Sequence, residues 1–201
     1  YEFTQTQSTD VPTGQGFATS LKMDCTTADA SLNADNLIRI IQIIESQNLQ
    51  YLKYGTANAE SLTASFWVKS SVTGDYNVHL YNYGSGGGAR IISSTYTINS
   101  ADTWEKKTIT YDGDTVEAFL NDNTAGFHFT FTLGSGTDYT STDATSWGSY
   151  SSGKLAYGQV ANIASSTDNN FYITGVQLEA GTSASDFEFL PVDVNLQRCL
   201  R

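Results

Sequence analysis

The sequence predicts an all-β protein: a two-sheet antiparallel β-sandwich of the jelly-roll type, with one short helix near residues 46–54. Three observations predict it. About eight or nine short segments alternate apolar and polar residues and are separated by turn-forming Gly, Asp, Asn, Ser and Thr, the pattern of half-buried strands. Only 15% of the 201 residues are charged while 12% are aromatic, so the core is rich and the surface is mostly hydroxyl and amide. Finally, a strand at 171–178 comes after all the others, as in a sandwich closed by bringing the two chain ends together.

Residues 1–16 are polar, contain Pro12 and lack periodicity, and read as an N-terminal arm. Residues 17–25 alternate, with Phe17, Leu21, Met23 and Cys25 on one face of a strand. Residues 37–45 are rich in β-branched Ile38, Ile40, Ile41, Ile43 and Ile44, which favours a strand, with a helix as the alternative. Residues 46–54 then form the short helix, anchored by Leu49 and Leu52 and stopped at Gly55. In 62–69, Leu62, Ala64, Phe66 and Val68 face inward and Thr63, Ser65, Trp67 and Lys69 outward. In 76–83, after the turn at Thr73 and Gly74, Val78 and Leu80 face inward and His79, Tyr81 and Tyr83 outward.

Further strands are expected at 89–98, 104–111, 126–133, 155–163 and 170–178. Phe127, Phe129, Phe131 and Leu133 make a core face, with His128, Thr130 and Thr132 opposite. Residues 134–153 form a long Ser/Thr/Gly/Asp loop that carries Tyr139, Trp147 and Tyr150. A loop of that length is functional or mobile. The organisation is therefore an arm at 1–16, a jelly-roll domain at 17–190, and a C-terminal extension at 191–201.

The formal net charge is −11, with 21 Asp and Glu against 10 Lys and Arg. Nucleic acid is excluded as a partner, because phosphate neutralisation needs cations, and anionic membranes are disfavoured. No apolar run reaches the roughly 20 residues that span a bilayer, so no membrane insertion is expected. Cys25 and Cys199 read as free thiols rather than a disulfide framework. With neither a secretory signal nor an initiator Met, the chain reads as a piece of something longer, truncated after Arg201.

No catalytic apparatus is visible. The two histidines, His79 and His128, sit in no nucleophile pattern, and Gly84 to Gly88 lacks the Lys and Ser/Thr of a phosphate loop. Asp112, Asp114 and Glu117 are candidates for paired hydrolytic carboxylates or a calcium site, but Asp and Gly at this spacing fit a turn better. Cys25, His79, His128 and Cys199 lack zinc-ligand spacing. No catalytic residue, metal ligand or cofactor is assigned.

The positive signal is aromatic. Sugars offer C–H faces to aromatic rings and hydroxyls to polar side chains. Trp67, His79, Tyr81 and Tyr83 form an outward stripe on two consecutive strands, with Arg90 and Lys69 as added donors, and Trp147 and Tyr150 supply a second set on the long loop. The competing reading covers the stripe with a loop, a helix or a neighbouring subunit, and folds Trp147 back as the anchor of its loop.

Five segments carry a resemblance: Ser65-Phe-Trp-Val-Lys-Ser70, Thr73-Gly-Asp-Tyr76, Ala101-Asp-Thr-Trp-Glu-Lys-Lys-Thr-Ile-Thr110, Ile173-Thr-Gly-Val-Gln-Leu-Glu-Ala-Gly181 and Phe187-Glu-Phe-Leu-Pro191. In this order, covering most of the chain from Phe17 onward, the sequence resembles bacteriophage tail-fibre and virion structural proteins. More distantly it is similar to the jelly-roll carbohydrate-binding modules of glycoside hydrolases. The resemblance implies a repeated, for example trimeric, virion component whose partners are copies of itself, other virion proteins and a bacterial surface glycan. In that group the stretch at 196–201 continues into a Tyr-rich segment. Carbohydrate-binding jelly rolls often place an Asp beside a structural calcium in the last strand. Here that place reads Ile173-Thr-Gly-Val, which argues against calcium. The expected function is non-enzymatic assembly and glycan adhesion on a virion. The alternatives are a purely structural capsid-decoration or fibre-assembly protein, and an extracellular binding module of a polysaccharide-degrading enzyme.

Overall fold

The structure, a computed structural model, describes residues 1–86 and 88–199. Its strands are β1 (Glu2–Ser8), β2 (Ser20–Thr27), β3 (Leu37–Glu45), β4 (Leu62–Ser70), β5 (Gly74–Asn82), β6 (Arg90–Ile98), β7 (Glu105–Tyr111), β8 (Ala125–Ser135), β9 (Gly148–Ser149) and β10 (Asn170–Ala180), and helix α1 (Val192–Cys199) follows. They form two antiparallel sheets, ordered β1-β2-β10-β4-β7 and β3-β8-β5-β6-β9.

The pairing is nested. With β1 and the two-residue β9 set aside as additions at sheet edges, the first remaining strand pairs with the last (β2 with β10), the second with the seventh (β3 with β8), the third with the sixth (β4 with β7) and the fourth with the fifth (β5 with β6). A long hairpin wrapped on itself in this way is a jelly roll. The two chain ends meet in the β2–β10 ladder, Ile173 opposite Leu21 and Asn170 opposite Asp24.

Strand alternation fills the space between the sheets. Leu62, Ala64, Phe66 and Val68 of β4 and Phe127, Phe129, Phe131 and Leu133 of β8 are all buried in one core, as their period of two requires. Phe66 bridges the layers, meeting Tyr96 at 5.1 Å and Phe131 at 5.0 Å between ring centroids. Two of the buried tyrosine hydroxyls find backbone acceptors, with Tyr111 Oη donating to the Val78 carbonyl at 3.0 Å and Tyr76 Oη to that of Val72 at 2.8 Å. The helix expected at 46–54 is a 3-10 turn, Ser46–Leu52, that buries Leu49 and Leu52 and ends at Lys53 in the left-handed region.

Three expectations need correction. Residues 2–8 are not part of an irregular arm but an edge strand, paired with β2 from Ser8 opposite Ser20 to Phe3 opposite Cys25. Its one apolar side chain, Phe3, packs against the core while the rest stay largely exposed, so hydrophobic periodicity is silent there. Phe17 precedes β2 instead of lying in it. It packs on Phe187 and Phe189, at 5.1 and 5.3 Å, above Gly175. Gly175 sits at φ +59° where the β4–β10 register slips, and a Cβ there would lie 2.4 Å from the Phe17 ring. Glycine therefore permits both the bulge and the packing.

Residues 155–163, the third, form no strand. Gly158, at φ +76°, breaks the extension, and the segment lies across the outer face of the second sheet. Asn77 Nδ2 donates to the Tyr157 carbonyl at 2.8 Å, and the amides of Val160 and Ala161 donate to that of Asp75. Its alternation records burial against a sheet rather than membership of one. Cys25 is buried with a free thiol, while the side chain of Cys199 lies outside the described residues.

Candidate functional site

The outward faces of β3, β8, β5 and β6 form the outside of the second sheet. Register sets a row across it: Ile43 stands opposite His128, His128 opposite Tyr81, and Tyr81 opposite Ile91. The long loop and the segment after it cover the β6 side. The Ser93 amide donates to the Ala144 carbonyl at 2.6 Å, Ser93 Oγ to that of Lys154 at 2.9 Å, and the Tyr150 amide to that of Ala89 at 2.9 Å. The uncovered remainder is a groove of about 320 Å³ whose lining includes Arg39, Tyr81, Tyr83, His128 and Tyr150.

The rings in it are held against one another. Tyr83 and Tyr150 stand almost perpendicular to Tyr81, at 4.7 and 5.0 Å between centroids, and His128 lies 4.7 Å from Tyr83. Tyr83 Oη lies 3.0 Å from His128 Nε2. Tyr83 and Tyr150 keep 44% and 43% of their surface exposed, so the cluster presents ring surface to solvent. Burial, and then the neighbouring Arg39 charge, holds His128 below the usual histidine range. Burial, then Tyr83 and Tyr150, raises the Tyr81 phenol. At neutral pH His128 is therefore an uncharged hydrogen-bonding group and Tyr81 an intact phenol.

His79 lines the groove from beneath. It is 1% exposed, with Nδ1 3.1 Å from Asn77 Oδ1. Burial first, then Arg39 and His128, lowers its pKa to about 3.

Four of the residues singled out from sequence lie elsewhere or are otherwise engaged. Trp67 does not continue the stripe. It belongs to β4, in the other sheet, and lines a separate pocket with Phe17, Phe187 and Phe189. Lys69, on the same outer face, is bonded to Asp10 and lies 4.4 Å over the Tyr172 ring. Arg90 points toward the sandwich interior, where its Nε donates to the fully buried Asp114 carboxylate at 2.6 Å. Trp147 folds back as an anchor: its Nε1–H donates to the Asp112 carbonyl at 2.6 Å, and its ring stacks 6.2 Å from Phe127 and meets Tyr54 at 5.9 Å. Tyr150 is the loop residue that reaches the groove.

Sequence reasoning left Arg39, His128 and Tyr139 out of the site. His128 was legible as an outward residue of its strand. What was missing is that β8 lies between β3 and β5, which brings three strands' outward residues together.

No protein-family model matches the chain, and no curated protein matches it. Solved structures similar in chain path include the enzymatically active domain of tailspike protein 4 from bacteriophage CBA120, 13% identical with a TM-score of 0.47 over 89% of this chain. The chain spans 18% of that tailspike structure's length. A family 16 carbohydrate-binding module is 12% identical, with a TM-score of 0.45 over 89% of this chain and 87% of its own. A CBM4 structure is 17% identical, with a TM-score of 0.42 over 88% of this chain and 77% of its own. These are likenesses of the β-sandwich path; they say nothing about a ligand.

Proposed function

We propose that this domain binds carbohydrate without catalysis, through the groove on the outer face of the second sheet. The observation that carries the reading is the cluster of Tyr81, Tyr83, Tyr150 and His128, fixed ring against ring and open to solvent. Such a surface offers apolar faces to sugar C–H groups, and its phenol and imidazole groups can exchange hydrogen bonds with sugar hydroxyls. The rings are pre-positioned, so little ordering entropy is lost on binding. The engagement of the acidic side chains supports a non-enzymatic role: Asp114 is held by Arg90, and Glu117 accepts from the Ser85 amide and hydroxyl. His79, with a pKa near 3, is poorly matched to proton transfer at neutral pH.

The finer reading places the domain on a phage tail fibre or other virion part, extracellular in its action. The run of segments from Ser65 to Pro191 that resembles virion proteins supports it. There, weak single sites gain strength by repetition. Glycan-array binding of the wild type, Tyr150→Ala and Trp67→Ala tests the site. Losing one ring contact weakens binding about five- to tenfold for Tyr150→Ala, whereas Trp67→Ala, on the other sheet, retains it. Equal binding by wild type and Tyr150→Ala would remove the groove from the reading, and release of reducing ends from a bound polysaccharide would sink the non-catalytic part.

One observation favours a second reading, assembly. β3 is an edge strand, and its outward Ile41 and Ile43 are 37% and 53% exposed. An apolar edge with unpaired backbone groups is a template for another strand, such as that of a second copy.

A further inference from the structure

The groove differs in charge from the molecule around it. The chain carries −11 overall, yet none of the described residues lining the groove is a carboxylate. Five of the cations are tied to carboxylates, Lys22 to Asp24, Lys53 to Glu60, Lys69 to Asp10, Arg90 to Asp114 and Lys107 to Glu105. Arg39 is not among them. It is exposed and lines the groove, and its guanidinium makes no hydrogen bond or ion pair with any described residue. A free guanidinium in a carboxylate-free groove makes a local positive field in an acidic protein.

A second observation is independent of charge. Thr130, in the groove floor, is 1% exposed, and its Oγ1 is buried without a hydrogen-bond partner. A buried hydroxyl left unpaired is costly, and a bound hydroxyl or carboxylate oxygen would satisfy it.

Building on the carbohydrate-binding reading, we propose that the groove selects an acidic saccharide, one bearing a carboxylate as uronic and sialic acids do. Arg39 takes the carboxylate in the planar, two-bond geometry that suits a guanidinium. The sugar ring lies against Tyr81, Tyr83 and Tyr150, with Thr130 Oγ1 reaching up from the floor. A volume of about 320 Å³ is at the small end of ligand sites, so the groove holds a short or terminal saccharide segment.

The test uses matched pairs that differ only in charge: oligogalacturonate with its methyl ester, and sialyllactose with lactose. Titration calorimetry measures each against the wild type, Arg39→Gln, Arg39→Lys, and Lys106→Gln, which removes the same charge from the opposite sheet. The wild type is expected to prefer the acidic member of a pair by about tenfold or more, as befits a charge-assisted bond. The acidic-to-neutral ratio collapses in Arg39→Gln, recovers in part in Arg39→Lys, and persists in Lys106→Gln. A ratio near one in the wild type, or one unchanged in Arg39→Gln, overturns the acidic selectivity and leaves carbohydrate binding standing. If neither member of either pair binds the wild type, the proposal and the carbohydrate reading beneath it both fail.

Discussion

Replacing His79 by glutamine should remove a measurable part of the protein's acid sensitivity. In the folded chain His79 is 1% exposed and its pKa is lowered to about 3, by burial first and then by the Arg39 and His128 charges. In the unfolded chain it returns to about 6.5. The sign follows. Between about pH 6.5 and 3 the unfolded state binds a proton that the folded state refuses, so stability falls as pH falls. The contribution is complete above about pH 6.5 and declines by about 1.4 kcal/mol for each pH unit below it. From about pH 7 to pH 5 the loss is about 2 kcal/mol, set by the unfolded-state value because the folded ring is still neutral at pH 5. Carboxylates with lowered folded values, such as Glu105 at about 2 and Asp10, also weaken the fold in acid, but they are common to both proteins and cancel in the difference. Urea unfolding of the wild type and His79→Gln at the two pH values reads this directly. The stability difference, wild type minus variant, should fall by about 2 kcal/mol on acidification. Parallel curves would show that His79 already takes its proton in the folded state, and the account of a closed floor beneath the groove would be wrong.

Three further outcomes are expected. Asp114→Ala leaves the Arg90 charge, its side chain only 15% exposed, without its partner and should cost about 3–5 kcal/mol in chemical denaturation; a cost below about 1 kcal/mol would mean that solvent reaches the pair. Trp147→Phe keeps a ring against Phe127 but loses the bond to Asp112, for about 1 kcal/mol, and Trp147→Ala should cost about 3 kcal/mol and speed hydrogen exchange at the Tyr150 amide. Unchanged exchange there would show that the loop is pinned by something else. Ile43→Lys places a charge on the exposed β3 edge, so any oligomer built on that edge should dissociate in light scattering, with the monomer as stable as before. An oligomer that survives the substitution must use another surface.

The fold was legible where one side chain in two had to enter the core. Phe127, Phe129, Phe131 and Leu133 could lie only on an inner face, and β8 follows them. The closing strand was legible as well, and β10 does pair with β2. The strand at 2–8 was invisible because an edge strand on a mostly solvated surface needs a single apolar contact, Phe3, and one residue makes no period. The segment at 155–163 erred in the opposite direction. It alternates because it lies on a sheet whose outer residues are polar and backbone-seeking, as Asn77 is toward Tyr157. Burial on one side produces the same period whether or not a ladder forms.

The site shows the sharper limit. Parity correctly placed Trp67, His79, Tyr81 and Tyr83 on outward faces, but parity is a property of one strand, and a platform needs to know which strands are neighbours. β4 and β5 are joined by a turn at 71–73 short enough for a hairpin, and as one sheet they would have merged Trp67 with the tyrosines. Instead the turn passes from one layer to the other, and Tyr76 Oη reaches back across the core to Ser70 Oγ at 3.0 Å. Tyr81 gains His128 from a strand far along the chain, and Trp67 gains the Phe17, Phe187 and Phe189 cluster that ties down both chain ends. The loop divides its aromatics in a similar way. Trp147 is spent on the rim of the core, where its ring and its N–H are both satisfied. Three residues later the backbone is bonded to Ala89, and Tyr150 is delivered to the groove with its ring open. The loop residue that reaches the groove is thus set in place by one that does not, and in a polar loop the larger aromatic serves as the anchor because it has the most surface to bury.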